Sequence, residues 1–186
     1  SEWCKEVVKT VNTNPEDVKY AIQTHLHLDH SGAIGHFPNA THITQRLEYD
    51  YAFNPDWFSQ PAYIRADFDK PNIRWKFLQC KKTDFYDVYG DGVIKIIFTP
   101  GHTPGHSSVL VNLPKTGHML LTGDACYTGD HWCDTCLPGL VASATDAANS
   151  VKKLRKVAKD HNANVVWGHD PVSWLDWKKA PMFYYD

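Results

Sequence analysis

The letters HLHLDH, beginning at His25, constrain this chain more than any other feature of its sequence. His25, His27, Asp29 and His30 are all side chains that can bind a metal, and a strand-like run over 18–24 precedes them. Side chains alternate along an extended backbone, so His25, His27 and Asp29 are expected on one side, with His30 at the following turn. Imidazole and carboxylate groups both suit zinc and similar divalent ions. Burying such a cluster without a partner costs free energy, so the segment predicts a metal site.

The composition is that of an ordinary folded domain. The chain has 186 residues, of which 42% are hydrophobic and 22% charged, and its formal net charge is −2. A slightly acidic chain without a long basic run argues against nucleic acid or an anionic membrane as the main partner. No apolar run reaches the length that spans a bilayer. We therefore predict a single domain over residues 1–186, with neither a nucleic-acid nor a membrane partner.

Cysteine usage bears on the compartment. The number of cysteines is odd and their spacing is irregular, which does not indicate a disulfide framework; they are Cys4, Cys80, Cys126, Cys133 and Cys136. A reducing cytoplasm is the simplest setting. Cys133 and Cys136 form a lone C-x-x-C that could be half of a zinc site or a redox pair. Because no second such pair exists, we favour the interpretation that these are two loop cysteines that lie close in sequence by chance.

Hydrophobic periodicity predicts strands and helices in alternation. The clearest element is an amphipathic helix over Asp146 to Asp160, with an apolar stripe that includes Val151 and Leu154. The segment 54–76 is rich in proline and aromatic residues, so it is either a lid over a binding site or a packed surface excursion. The predicted helices are Trp3–Val11, a short turn at Asn14–Asp17, and Gln45–Phe53; the predicted strands are Tyr20–Thr24, Thr41–Thr44, Val93–Thr99, Ser107–Asn112, Met119–Thr122 and Val165–Trp167. This pattern favours an α+β fold in which a sandwich of sheets has helices outside.

Three later motifs place further candidate ligands where predicted strands end. His102 lies in the proline- and glycine-rich letters TPGHTPGH over 99–106, Asp124 ends the letters LLTGD, and His169 ends the letters VWGH. Loops at the ends of neighbouring strands converge, so these side chains are expected near the first motif.

The order H-x-H-x-D-H, P-G-H-T, G-D and G-H between Val18 and Asp170 resembles the metallo-β-lactamase fold superfamily. The resemblance implies an αββα sandwich that binds two divalent metal ions, zinc first among them. Carried over position by position, it assigns one metal to His25, His27 and His102, the other to Asp29, His30 and His169, and a bridge between them to Asp124. His106 repeats the P-G-H phrase but is not a ligand in that pattern, so a structural hydrogen bond is expected of it.

Within that superfamily the chain is most similar to the N-acyl-homoserine lactonases. The letters THLHLDHSG from Thr24, QRLEY from Gln45 and GHD from Gly168 carry this similarity, as does Tyr127, three residues after Asp124. It implies a hydrolase that opens the lactone ring of a small acyl lactone with a hydroxide shared by the two metals. Tyr127 would contact the substrate carbonyl, and Asp29 would move the proton to the leaving oxygen. No organic cofactor is implied, and a homodimer is left open.

One departure from the family pattern leaves alternatives open. Family members have several strands before the first motif, whereas this chain has 24 residues there. The expectation is a chain that is truncated at its N-terminus and lacks those strands; the alternative is that the missing part is supplied in another way. A thioesterase of the hydroxyacylglutathione type, another ester hydrolase on the same scaffold, and an inactive metal-stabilised fragment remain alternatives. A β-lactamase and a nuclease are disfavoured, the latter because no basic stripe is present.

Overall fold

Eight strands in the described residues form two β-sheets. The computed structural model describes residues 2–81, 85–133, 136–180, 182–183 and 185–186. The first sheet is parallel and has the order β1-β2-β3; its strands are β1 (Tyr20–Ile22), β2 (Thr41–Gln45) and β3 (Arg74–Leu78). The second has the order β4-β5-β6-β7-β8 and is antiparallel except for the pair β7-β8; its strands are β4 (Phe85–Asp87), β5 (Ile94–Phe98), β6 (Ser107–Leu113), β7 (Gly117–Leu121) and β8 (Asn164–Val166).

Helices connect and flank these sheets. They are α1 (Glu2–Thr10), α2 (Leu28–Ser31), α3 (Arg46–Phe53), α4 (Arg65–Phe68), α5 (Gly129–Trp132), α6 (Ala144–His161) and α7 (Pro171–Asp176). Short 3-10 turns cover Pro15–Asp17, Gln60–Ala62 and Gly123–Ala125. None of the helices within the described residues combines the length and the apolar composition of a transmembrane span.

Buried residues in the two sheets form the central layer of the core. Ile43 of β2 and Leu78 of β3 pack with Val88 and with Ile96 of β5, and all four are buried. Alternate residues point to opposite faces of a strand, so His42 and Trp75 on the same two strands face away from this layer. Their rings lie 5.6 Å apart on the outer face of the first sheet. The two sheets therefore stack face to face.

Helices cover the outer face of each sheet. Leu154 and Val157 of α6 pack against Ile97, Leu110 and Leu120 of the second sheet. Removing one such side chain from water stabilises the fold by about 1.5–3 kcal/mol. On the other side, a second cluster of buried residues joins α3 and α4 to the segments around them: Leu26, Ile34, Ala52, Tyr63 and Phe68. The order of layers is helix, sheet, sheet, helix, which confirms the predicted α+β sandwich.

Helix α6 shows how local sequence sets an element. Ser143 caps its N-terminus by accepting a hydrogen bond from the backbone N–H of Asp146, and Asn162 ends it in the left-handed conformation at φ 48°. Val151 and Leu154 lie on its buried stripe, as the periodicity predicts. The helix is longer than predicted because the cap precedes the apolar stripe and the last turn is polar.

Several predicted elements differ from the structure: most bounds shift by one or two residues, and β3, α4, α5 and α7 were not predicted as elements. The first strand ends at Ile22 rather than Thr24. The segment 54–76 is not a single irregular excursion, since it contains a 3-10 turn, α4 and the start of β3. Strand β4 was not predicted, because three residues at a sheet edge carry too short a pattern to recognise.

Candidate metal centre

Each of the four motifs ends near one point of the sandwich. His25 and His27 follow β1, His102 follows β5, and His169 follows β8. Asp124 lies in the 3-10 turn directly after β7. The strand ends therefore bring together side chains that are up to 144 positions apart in the chain, between His25 and His169.

The backbone of the first motif is not extended throughout. Asp29 and His30 lie on α2, which begins directly after His27. The expectation that Asp29 shares a strand face with His25 and His27 was therefore wrong. The helical turn instead directs Asp29 and His30 into one group and leaves His25 and His27 to another.

Three buried histidines form the first group. The ligand atoms of His25, His27 and His102 all lie within 4.8 Å of one another. His102 Nε2 is 2.9 Å from His27 Nδ1. His25 Nε2 and His102 Nε2 are 3.7 Å and 3.3 Å from Asp124 Oδ2. Three imidazole nitrogens converging with one carboxylate oxygen is a donor set that zinc accepts.

The second group is more open. It comprises Asp29, His30, Asp124 and His169, whose ligand atoms also lie within 4.8 Å of one another. His30 Nε2 and His169 Nε2 are each 3.2 Å from Asp124 Oδ1. Their distances to Asp29 Oδ2 are 3.4 Å and 3.5 Å. The Asp29 and His169 side chains are 48% and 43% exposed, so solvent reaches this group directly.

Asp124 joins the two groups with its two oxygens. Oδ2 faces the three-histidine group and Oδ1 faces the open group. The carboxylate is nearly buried. One carboxylate that presents a different oxygen to each of two donor sets is suited to bridge two cations.

Orphaned buried atoms indicate that these residues fit metal ions. Among the described residues, His25 Nε2, His30 Nε2 and Asp124 Oδ1 are buried and have no hydrogen-bond partner. His30 Nε2 and Asp124 Oδ1 approach to 3.2 Å without the alignment of a hydrogen bond. Buried polar groups are nearly always paired, so such a cluster of unpaired atoms is expected only where an ion completes it.

The pKa values of the three-histidine group and of Asp124 favour ligands that are ready to coordinate. Burial, together with the neighbouring imidazoles, lowers the pKa of His25 well below its usual value. Burial and then His102 lower the pKa of His27 to about 4. Burial alone would raise the pKa of Asp124, but His30 and the other imidazoles outweigh it and hold that pKa well below the usual range. At His25 and His27, neutral imidazoles beside an ionised carboxylate are the protonation states that metal binding requires. At His30, burial alone would lower the pKa, but the neighbouring Asp124 carboxylate outweighs burial and raises it.

Hydrogen bonds behind the imidazoles set which nitrogen faces the centre. His102 Nδ1 donates to the backbone carbonyl of Leu140 at 2.8 Å, which leaves Nε2 directed at the centre. His25 Nδ1 lies 3.1 Å from Thr24 Oγ1. Such outer contacts fix the tautomer and the ring orientation of a metal-binding histidine.

His106 supports Asp124 and belongs to neither group. It is fully buried, its Nε2 accepts from the backbone N–H of Asp124 at 3.0 Å, and its Nδ1 lies 3.1 Å from the carbonyl of Thr99. Burial lowers the pKa of His106 to about 3, so the ring is neutral and Nδ1–H donates to Thr99. This is the structural hydrogen bond expected from the sequence.

Two glycines seat the loop over 99–106 between two helices. A Cβ on Gly101 would lie 2.3 Å from the backbone nitrogen of Ala147 in α6. A Cβ on Gly105 would lie 2.2 Å from the backbone nitrogen of Glu48 in α3. Only glycine permits so close an approach. The loop that carries His102 is therefore wedged between the helices that cover opposite sheets.

Tyr127 lies beside both groups. Its hydroxyl is 3.4 Å from His102 Nδ1, and its ring centroid is 5.0 Å from that of His169. Burial, with Asp124 and Asp29 nearby, raises the pKa of Tyr127. The phenol is therefore protonated at neutral pH and able to donate a hydrogen bond.

The segment 54–76 contributes a side chain that packs against His27 as well as exposed surface. Tyr63 is buried, and its ring centroid lies 4.6 Å from that of His27. Trp57, by contrast, is 84% exposed. The segment is therefore at least in part the packed surface excursion, and a lid over a binding site stays a prediction.

The C-x-x-C pair lies apart from the two groups. Cys133 and Cys136 are exposed and free, whereas Cys126 is buried and free. Asp134 and Thr135 between the pair lie outside the described residues. Within the described part of the chain, no group of metal-binding side chains includes a cysteine.

Sequence reasoning missed Glu48, which is fully buried beside the three-histidine group. The letters QRLEY were singled out only as a family similarity. A charged residue on the first turn of a helix usually faces solvent, so its role was not visible before the fold placed it.

Comparison with known proteins agrees with this geometry. A family model described as the metallo-beta-lactamase superfamily matches residues 6–169. The N-acyl homoserine lactonase AttM of Agrobacterium fabrum is 59% identical over 183 residues, which cover 98% of this chain and 70% of that protein. AttM of Azorhizobium caulinodans is 57% identical over the same shares of the two chains.

Solved structures show the same fold. An N-acyl homoserine lactone hydrolase with the product N-hexanoyl-L-homoserine bound at its catalytic metal center superposes with a TM-score of 0.83. Its sequence is 30% identical, and the match covers 98% of this chain and 67% of that chain. This chain belongs to the metallo-beta-lactamase superfamily and, within it, to the N-acyl homoserine lactonase family.

Proposed function

We propose that this chain opens the lactone ring of N-acyl homoserine lactones by hydrolysis, using two divalent metal ions, with zinc as the first candidate. The observation that carries the proposal is the pair of donor groups that share Asp124, one oxygen to each. The relatives that match over nearly the whole chain are N-acyl homoserine lactonases. The three-histidine group would hold one ion, and Asp29, His30 and His169 would hold the other.

Two ions bound here would supply a hydroxide at neutral pH and a Lewis acid for the ester carbonyl. The residues of the chain then have separate tasks. Tyr127 donates its hydroxyl hydrogen to the oxyanion that forms when the carbonyl carbon is attacked. Asp29 accepts the proton of the nucleophile and returns it to the ring oxygen as the ring C–O bond breaks. In the overall reaction, one lactone and one water molecule give one N-acyl homoserine.

Asp29 is suited to this exchange because its side chain is half exposed and reaches the open group. A proton carrier must contact both the nucleophile and the leaving oxygen, and a fully buried carboxylate could not be reached by the substrate. The free cysteines of the described residues support the cytoplasm as the compartment. We propose a single domain over 1–186 and leave a homodimer to be measured.

The test combines metal removal with a substrate panel. The full chain is dialysed against a strong chelator, its metal content is measured, and ring opening of N-hexanoyl homoserine lactone is followed before and after zinc is restored. We expect activity to disappear with the metal and to return with it. A hydroxyacylglutathione-type thioester serves as the comparison substrate, because a thioesterase on this scaffold would favour it. Lactone opening that survives complete metal removal would refute the mechanism, and thioester turnover without lactone turnover would refute the substrate.

A further inference from the structure

Glu48 is a buried carboxylate that the proposed chemistry does not use. It lies in the first turn of α3, within the letters QRLEY, and its exposed fraction is 0%. Burial raises the pKa of Glu48, whereas hydrogen-bond donors around the carboxyl group act in the opposite direction. The structure supplies three such donors, which come from three different segments of the chain.

The donors belong to the segments that hold the three-histidine group. Oε1 accepts from the backbone N–H of Leu26 at 2.9 Å and from the hydroxyl of Tyr63 at 3.1 Å. Oε2 accepts from the hydroxyl of Thr103 at 2.5 Å. Leu26 stands between His25 and His27, and Thr103 follows His102. One carboxylate thus joins both loops that carry the three histidines.

Tyr63 adds a contact with a histidine itself. The ring that donates to Glu48 also packs edge-on against His27, with 4.6 Å between centroids. The approach of Gly105 to the backbone of Glu48 brings the His102 loop onto the same helical turn. Hydrogen bonds, ring packing and backbone contact therefore all connect this turn of α3 with the three-histidine group.

We propose that Glu48 is a positioning residue, which sets the spacing of His25, His27 and His102 before a metal ion binds. It does not contact the ion or the substrate. A preset donor geometry reduces the rearrangement that binding requires, so the effect falls on metal affinity before it falls on chemistry. The inference rests on the proposed metal centre and deepens it.

The decisive variants are Glu48→Gln and Thr103→Val in the full chain. Gln keeps the size of the side chain but removes its charge and turns one acceptor into a donor. With the Gln oxygen towards Leu26 N–H and Tyr63, the amide would face the Thr103 hydroxyl, which would have to accept instead of donate. Val keeps the shape of Thr103 and removes its hydrogen bond. The matched controls are Asp50→Asn, whose carboxylate lies on the same helix but is exposed and paired with Arg46, and Thr103→Ser, which keeps the hydroxyl.

Zinc affinity is measured by competition with a chromophoric chelator, and the visible spectrum of the cobalt-loaded protein reports the donor geometry. We expect Glu48→Gln and Thr103→Val to bind the more tightly held ion about 10- to 100-fold more weakly and to alter the cobalt spectrum. Asp50→Asn and Thr103→Ser should match the parent chain. Should Glu48→Gln fail to fold, the zinc affinities of Thr103→Val and Thr103→Ser are compared to test the positioning role of Glu48.

The possible failures can be told apart. The positioning role would be overturned if the folded variants kept the zinc affinity and the cobalt spectrum of the parent chain. This applies to Thr103→Val, and to Glu48→Gln where it folds. A parent chain that binds two ions but opens no lactone would refute the proposed function and leave the affinity comparison valid. A parent chain that binds no metal would overturn both.

Discussion

Replacing Gly105 with alanine tests whether the close contact between the His102 loop and α3 sets the site. The new Cβ would lie 2.2 Å from the backbone nitrogen of Glu48 and 2.4 Å from its Cα. An ordinary contact begins at 3.4 Å, so the loop and the helix would have to separate by about 1.2 Å. Backbone atoms cannot rotate out of the way as a side chain can. The separation must therefore be absorbed by the loop that carries His102.

The magnitude follows from what that separation breaks. Overpacking of this kind costs about 1–3 kcal/mol, which for a chain of this length lowers Tm by about 2 to 12 °C. The hydrogen bond from Thr103 to Glu48, now 2.5 Å, would lengthen by up to the same displacement and would be lost. Moving His102 by about 1 Å would lower kcat/KM by about 100-fold.

Gly139→Ala is the matched control, because a Cβ there meets nothing within 4 Å. Neither glycine has a left-handed backbone, so alanine strains neither position by conformation alone. Gly139→Ala should be neutral or slightly stabilising, by about 0.4–1 kcal/mol. The assays are thermal unfolding and lactone hydrolysis at matched zinc content. If Gly105→Ala equalled Gly139→Ala in both Tm and kcat/KM, the seating of the loop against α3 would not matter and the reasoning would be refuted.

Four further outcomes are expected. Tyr127→Phe should lower kcat/KM about 10-fold or more with metal content unchanged, and an unchanged rate would leave Tyr127 a packing residue. Asp124→Asn should retain fewer than two zinc ions per chain by elemental analysis, and full occupancy would contradict the bridge. Burial and then Lys70 lower the pKa of His42 to about 4. Between about pH 4 and 6.5, His42 is therefore charged in the unfolded chain and neutral in the folded one. Stability of about 3 kcal/mol present above pH 6.5 is then lost as the pH falls towards 4, and an NMR titration of His42 with a midpoint near 6.5 would contradict this. During slow chelation the ion at the half-exposed Asp29 and His169 should leave first, and loss of both ions in a single phase would contradict that order.

Long apolar patterns were predictable, whereas short elements were predicted in some cases, as for β1 and β8, and missed in others, as for β4. Helix α6 was recognised because its apolar stripe repeats over four turns, and β5 and β6 because apolar and β-branched residues persist along them. Strand β4 has three residues, and it is a strand because it pairs with β5 at the edge of the sheet. That pairing is a tertiary contact, which the local sequence does not show. Strand β1 ends two residues earlier than predicted. The Gln23 N–H still donates to the Ile43 carbonyl of β2, but the Thr24 carbonyl accepts from Ser107 of β6 in the other sheet.

The candidate site divides in the same way. The side chains of its two groups were all named from four motifs, because ligand chemistry restricts the residue types and the motifs stand where strands end. The path of the backbone through Asp29 was not predicted correctly, since alternation along a strand and a helical turn both fit so short a stretch. Glu48 and the carbonyl of Leu140 could not be found from sequence at all. Their importance lies in which loop they contact, and only the folded chain determines that.

The contacts behind the three-histidine group also connect the two halves of the sandwich. The loop over 99–106 touches α3, which covers the first sheet, through Gly105, and α6, which covers the second, through Gly101. His25 and His27 are held to α3 through Glu48. The three histidines therefore reach their observed spacing only when both layers are docked. A ligand that binds only the docked state stabilises it in proportion to the logarithm of its concentration over Kd. Metal binding at this group should accordingly stabilise the docking of the whole sandwich, because the three histidines have the spacing that a metal needs only when the two layers are packed together.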